Sequence, residues 1–248
     1  MVNTLMALEA TALSKAYGAL QVTKDVSISL NSGQALGIIG PNGAGKTTLF
    51  NLLTGTVRPD AGKVVFFGQD ITRLTARARC LMGISRSFQV PQPFSGMTVY
   101  ENALVAAAFG QGLSESDAGD YATYALRRTA LFAKAHIRAG ELTLLDRKRL
   151  ELARSIATAP KLLLLDEIAG GLTEAECHEL TSLIRAIKAD GVTIIWIEHV
   201  LHALLSVVDK VLVLDFGQKI AEGDPDTIMK SPEVTSIYLG LEAEPQHG

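Results

Sequence analysis

The segment Gly40-Pro41-Asn42-Gly43-Ala44-Gly45-Lys46-Thr47 matches the spacing G-x-x-x-x-G-K-[ST]. Glycines let a loop curl until successive backbone N–H groups point inward, a geometry that cradles phosphate oxygens. A helix opening at Lys46 adds the positive end of its dipole to the same field. Nucleotide phosphate is therefore expected on Gly40, Pro41, Asn42, Gly43, Ala44, Gly45, Lys46, Thr47 and Thr48. Lys46 is placed to reach the β- and γ-phosphates, and Thr47 to ligate Mg²⁺. A second segment, Leu162-Leu163-Leu164-Leu165-Asp166-Glu167, is an apolar run that ends in two carboxylates. At the C-terminal end of a parallel strand, such residues face the ligand crevice. Asp166 is expected to hold Mg²⁺, usually through water, and Glu167 to orient or deprotonate an attacking water.

Both segments need a framework. Short apolar runs alternate with longer stretches of helical period. Strands are expected over residues 8–13, 26–30, 34–39, 63–67, 84–89, 161–166, 193–198, 210–216 and 219–222. Helices are expected over 46–53, 99–109, 116–135, 144–158, 174–189, 201–208 and 225–229. Alternating strands and helices imply an α/β fold with a mainly parallel sheet covered on both faces. The helical middle reads as an insertion into that core.

Bulk properties narrow the class. The chain has 248 residues, of which 48% are hydrophobic and 20% charged, a globular composition. A net charge of −3 gives no general attraction to nucleic acid. Cys80 and Cys177 lack CxxC spacing and read as free thiols in a reducing compartment. The N-terminus lacks a basic region followed by a long apolar run, so no signal peptide is expected. No apolar run approaches the ~20 residues that span a bilayer. The chain is expected to be soluble and to meet a membrane only through a partner.

Three shorter segments join the two motifs: Ala16-Tyr17-Gly18, Arg86-Ser87-Phe88-Gln89 and Thr193-Ile194-Ile195-Trp196-Ile197-Glu198-His199. In this order, along nearly the whole chain, they resemble the ATP-binding subunits of ABC transporters. The resemblance implies ATP and Mg²⁺ as ligands. It makes Tyr17 the adenine-stacking platform and Gln89 a Mg²⁺ contact that carries coupling toward membrane subunits. His199 becomes the switch histidine on the γ-phosphate. The implied fold is a RecA-like P-loop NTPase core with an antiparallel β subdomain and an inserted α-helical subdomain. The implied division is a single ATPase domain over 1–248, with core about 1–89 and 160–240, helical subdomain about 90–159 and a short tail 241–248.

Segments 94–102, 219–225 and 236–240 resemble the ATPases of branched-chain amino-acid uptake systems. Lipopolysaccharide-export and urea-uptake ATPases share a similar ending and stand as alternatives. An ABC module outside transport, such as a translation factor, usually carries fused or coiled-coil domains that this length does not hold. The resemblance implies two membrane permeases, a second ATPase chain in a head-to-tail homo- or heterodimer, and indirectly a periplasmic solute-binding protein. It implies a peripheral location on the cytoplasmic face of the inner or plasma membrane.

The chain also departs from the family pattern. Leu142-Thr143-Leu144-Leu145-Asp146 occupies the place of the signature LSGGQ, which acts on the partner subunit's ATP. Leu144 and Leu145 replace both glycines, and Asp146 brings a negative charge toward an anion. Thr143-x-x-Asp146 is also close to a helix capping box. Ile168 replaces a usual proline after Glu167, and Thr173 replaces the usual Asp at the end of the following loop. Arg147-Lys148-Arg149 reads as a solvated helix face.

Overall fold

The computed structural model describes residues 5–232 and Val234. The segments 236–240 and 241–248 singled out above lie outside the described residues.

Strands β1 (Met6–Tyr17) and β2 (Leu20–Asn31) form an antiparallel hairpin. With β4 (Ala61–Phe66) and β5 (Gln69–Asp70) they make a four-stranded antiparallel sheet, ordered β2-β1-β4-β5. The larger sheet contains β3 (Ala35–Ile39), β6 (Ile84–Arg86), β7 (Leu162–Asp166), β8 (Thr193–Ile197), β9 (Lys210–Asp215) and β10 (Gln218–Gly223). Its order is β10-β9-β3-β8-β7-β6, parallel throughout except for the β9–β10 hairpin.

Every residue of β3, β7 and β8 is buried, which is why these strands read as unbroken apolar runs. Alternate side chains serve two cores. Leu36, Ile38, Leu162, Leu164, Ile195 and Ile197 face α1 (Lys46–Thr54) and the antiparallel sheet. Leu163, Leu165, Ile194 and Trp196 face the other way, toward the remaining large helices. Because β8 lies between β3 and β7, the loops that follow all three strands emerge side by side.

Three helices separate β6 from β7: α3 (Val99–Gln111), α4 (Glu115–Arg128) and α5 (Leu144–Ala157). Their N-termini are capped by Thr98, Ser114 and Thr143, whose side-chain oxygens accept first-turn N–H groups. Buried Ala103, Ala107, Ala118, Ala122 and Ala125 give α3 and α4 slim contact faces. Helices α6 (Glu174–Ala189), α7 (Leu201–Leu205) and α8 (Pro225–Met229) follow β7, β8 and β10.

Several expectations change. The helix expected over 116–135 stops at Arg128. Thr129 turns its hydroxyl back to Ala125 O, 2.9 Å away, and Ala130 adopts a left-handed φ of 57°. A short 3₁₀ turn, Phe132–Lys134, follows. The strand expected to reach residue 89 ends at Arg86, and the helix expected to reach 208 ends at Leu205. Strand β5 and helix α2 (Ala76–Leu81) were not expected. Helix α2 carries the buried Arg79, whose Nη1 donates to Leu52 O and Leu53 O at 2.7 Å each and so satisfies the carbonyl end of α1.

Candidate functional site

The loop between β3 and α1 is shaped by its glycines. Gly40 has φ 153°, and a Cβ there would stand 2.1 Å from Leu214 O. Gly45, the N-cap of α1, has φ 96°, and a Cβ there would meet Val22 O at 2.5 Å. No side chain caps α1 and no acidic residue lies in its first turn. Its leading N–H groups and dipole are thus available to an anion.

Lys46 is buried, and its Nζ donates to Gly40 O at 2.6 Å and Pro41 O at 2.9 Å. Burial pulls its pKa below the ordinary lysine value, while the charges of Glu167 and Asp166 oppose that shift. Those couplings join the glycine loop and the carboxylates into one electrostatic site. Asn42, Gly43 and Thr47 are exposed, Pro41 and Thr48 half-buried, and Ala44 buried.

At the end of β7, Asp166 is buried and its Oδ2 accepts from Arg86 Nη2 at 2.5 Å. Arg86 Nη1 donates to Asn51 Oδ1 at 2.6 Å, tying this pair to α1. Glu167 stands at a φ of 46°, a region that costs a non-glycine residue about 1 kcal/mol or more. Its N–H donates to Ile197 O at 2.8 Å, which holds the turn against β8. Its carboxylate accepts from Gln89 Nε2 at Oε2 and, at 2.8 Å, from His199 Nε2 at Oε1. Gln89, Glu167 and His199, from three separate segments, meet on one carboxylate.

Sequence reasoning gave Glu198 no role. It is buried and accepts from the N–H of Ala169 and of His199, both at 2.9 Å. It therefore pins the loop after β7 to the loop after β8. The signal that could have found it is a carboxylate directly following the apolar run of β8. Nor does the sequence pattern give a role to Arg86, which links Asp166 to Asn51.

Tyr17 ends β1 and pairs with Leu20 across the hairpin. Its ring is exposed, with Lys15 Nζ 5.6 Å from the centroid. The same hairpin carries Val22, the residue against Gly45. An exposed aromatic thus sits on the strand pair that borders the phosphate loop.

The segment Leu142–Asp146 differs from expectation. Leu142 and Leu145 are buried in the core under α5, while Leu144 is 45% exposed. Thr143 caps α5 by accepting from Asp146 N at 3.3 Å. The expected capping box is not completed. The Asp146 carboxylate instead meets the Thr143 hydroxyl at 3.2 Å, Arg149 at 3.4 Å and Lys134. Asp146 is buried, so its charge is neutralised within the chain and does not face an incoming anion. Ile168 is buried, and Thr173 caps α6 with a full capping box to Glu176.

The reading of residues 147–149 as a solvated face also fails at Lys148. This lysine is 3% exposed and donates to Gln89 O at 3.0 Å and Glu167 O at 3.3 Å. Arg149 pairs with Glu179 and Asp146.

Among the described residues no group of three or more His, Cys, Asp or Glu side chains could hold a metal ion. The hydroxyl and carboxylate oxygens of Thr47 and Asp166 suit Mg²⁺, which keeps water and phosphate oxygens as most of its ligands.

A glycine loop entering a helix, with a carboxylate-tipped strand two places across the sheet, defines a P-loop nucleotide-binding protein. Sequence comparison takes this further: residues 23–170 match the family model described as ABC transporter, and the chain belongs to that family. It is 36% identical to the high-affinity branched-chain amino acid transport ATP-binding protein BraF of Pseudomonas aeruginosa, over 94% of this chain and 97% of that one. The corresponding protein LivG of Escherichia coli matches at the same identity and coverage. Among solved structures, a nucleotide-free ATP-binding cassette from an ABC transporter superposes with a TM-score of 0.87. It is 33% identical and covers 94% of this chain and 98% of its own. A cassette in its ADP conformation gives the same TM-score and identity, over 96% of this chain and 100% of its own.

Proposed function

We propose that this chain is the ATP-binding and ATP-hydrolysing subunit of an ABC importer for branched-chain amino acids or related small amino acids and amides. The substrate class rests on relatives such as BraF and LivG, named as branched-chain amino acid transport ATP-binding proteins. The observation that carries the hydrolytic reading is the Glu167 carboxylate, held by Gln89 and His199 and electrostatically coupled to Lys46.

In this reading the backbone N–H groups of residues 40–48, all but Pro41, which has none, cradle the ATP phosphates, and Tyr17 stacks on adenine. Lys46 exchanges the Gly40 and Pro41 carbonyls for β- and γ-phosphate oxygens. Thr47, Asp166 and Gln89 would hold Mg²⁺, which when bound offsets phosphate charge. Glu167 takes a proton from the water whose oxygen bonds the γ-phosphorus as the bond to the ADP oxygen breaks. His199 steadies that carboxylate and the γ-phosphate. Of the segment Leu142–Asp146, the exposed Thr143 and Leu144 meet the ATP of a second ATPase chain packed head-to-tail, over the buried Leu142, Leu145 and Asp146.

The proposed division is a core of about 1–89 and 160–240 with a helical subdomain of about 90–159. Permeases would dock beside the exposed Phe88, Val90 and Phe94, an apolar surface next to Gln89. No helix among the described residues is long and apolar enough to cross a membrane. Attachment to the cytoplasmic face would therefore run through the permeases, with a periplasmic binding protein delivering the solute.

The test is Glu167→Gln in the transporter assembled in lipid vesicles. ATP binding should persist while turnover falls by about 10²-fold or more. Unchanged turnover removes Glu167 from the chemistry, and the hydrolytic reading with it.

A further inference from the structure

Lys148 is a buried ammonium on a helix of the inserted segment, with its charge turned inward. Such a group is costly unless its donors are used, and an apolar residue would fill the position without that cost. Its two acceptors are the carbonyls of Gln89 and Glu167, at 3.0 and 3.3 Å. These are the residues whose side chains meet at the Glu167 carboxylate. The ammonium also faces the carboxylates of Glu198, Glu167 and Glu151, which oppose the lowering of its pKa by burial.

The rest of this face of α5 grips only the loop that contains Gln89. Glu151 accepts from Arg154 Nη1 at 3.0 Å, with the Phe88 backbone N–H beside its carboxylate. Arg154 donates to Gln92 O at 3.0 Å and lies 5.4 Å from the Phe94 ring centroid. Lys148 alone among these three reaches the second segment, at a residue held at positive φ.

We propose that Lys148 is a positioning residue for hydrolysis: by donating to the backbone of Glu167 and Gln89 together, it fixes where their side chains meet and ties that point to α5. The proposal rests on the reading of Glu167 as the residue that activates water. Lys148 touches neither water nor nucleotide in this role. It acts through the Glu167 backbone, where a displacement of about 1 Å can cost 10²-fold in rate.

The experiment uses the full-length chain assembled with its permeases in vesicles. Lys148→Met keeps the apolar stem and removes the donors, whereas Lys148→Arg keeps donors and charge. Steady-state turnover is measured alongside binding of a fluorescent ATP analogue to each full-length chain. For Lys148→Met we expect kcat to fall about tenfold or more, with KM and analogue affinity within about twofold of the parent. Lys148→Arg should recover most of the loss. Placed on Glu167→Gln, Lys148→Met should cause no further drop, because both changes act through one carboxylate. Parental turnover by Lys148→Met overturns the proposal. A further drop on the Glu167→Gln background also overturns it. A melting-temperature loss that Lys148→Arg shares, with binding and turnover falling in parallel, marks a merely structural lysine and overturns it too. Normal turnover by Glu167→Gln alone would instead overturn the reading of Glu167.

Discussion

His199 Nε2 lies 2.8 Å from Glu167 Oε1, although the two residues follow different strands, β8 and β7. The pairing follows from strand order. Asp166 pairs with Ile197 across the parallel ladder, so the residues just beyond each strand end come into reach. Glu198 then turns inward to bind Ala169 and His199 N–H groups, which leaves the His199 ring on the Glu167 side.

This contact gives the first prediction. His199→Ala should lower turnover by about 10²-fold, the loss typical of removing one positioned polar group from a reacting centre. Analogue binding should hold, because the phosphate cradle and Lys46 are untouched. Turnover against ATP concentration separates the two: a raised KM with unchanged kcat would place His199 in ground-state binding alone.

The two leucines of the signature segment should behave differently. Leu144 is exposed at the first turn of α5, so Leu144→Gly removes helix propensity worth about 1 kcal/mol at most. Leu145 is buried in the core, so Leu145→Gly opens a cavity as well and should cost about 4 kcal/mol. At this chain length that separates the melting temperatures of the two variants by about 10 °C. Thermal unfolding of the purified full-length variants checks it. Equal melting temperatures would mean that Leu145 is not a core residue.

Acid should weaken the helix caps. The Thr173 backbone N–H, and then its hydroxyl, hold the Glu176 carboxyl below its ordinary pKa; Thr98 does the same for Glu101. A depressed carboxyl adds stability above its unfolded pKa, about 4.3, and loses it as pH falls through the folded value. Glu176→Ala should therefore destabilise the chain at neutral pH. The gap to the parent should shrink below about pH 4. Urea midpoints of both proteins at the two pH values measure it; a gap that widens in acid would contradict the sign.

What depends on neighbouring residues is already written in the local order of the chain. The phosphate loop was legible because its positive-φ turns admit little but glycine, and the all-buried strands because parallel packing demands unbroken apolar runs. Helix starts at Val99, Leu144 and Glu174 were legible because a threonine stands before each. The end of α4 was not, since no glycine or proline marks it and a buried Thr129 does the turning. Nor was the inward turn of Lys148, because a charge run on a helix looks the same in solvent and in a core. The packed structure alone sets α5 against the Gln89 and Glu167 backbones. It likewise decided that Lys134 and Arg149 neutralise Asp146. Desolvation and pairing depend on which distant segments share a volume, and that is set by packing, not by local order.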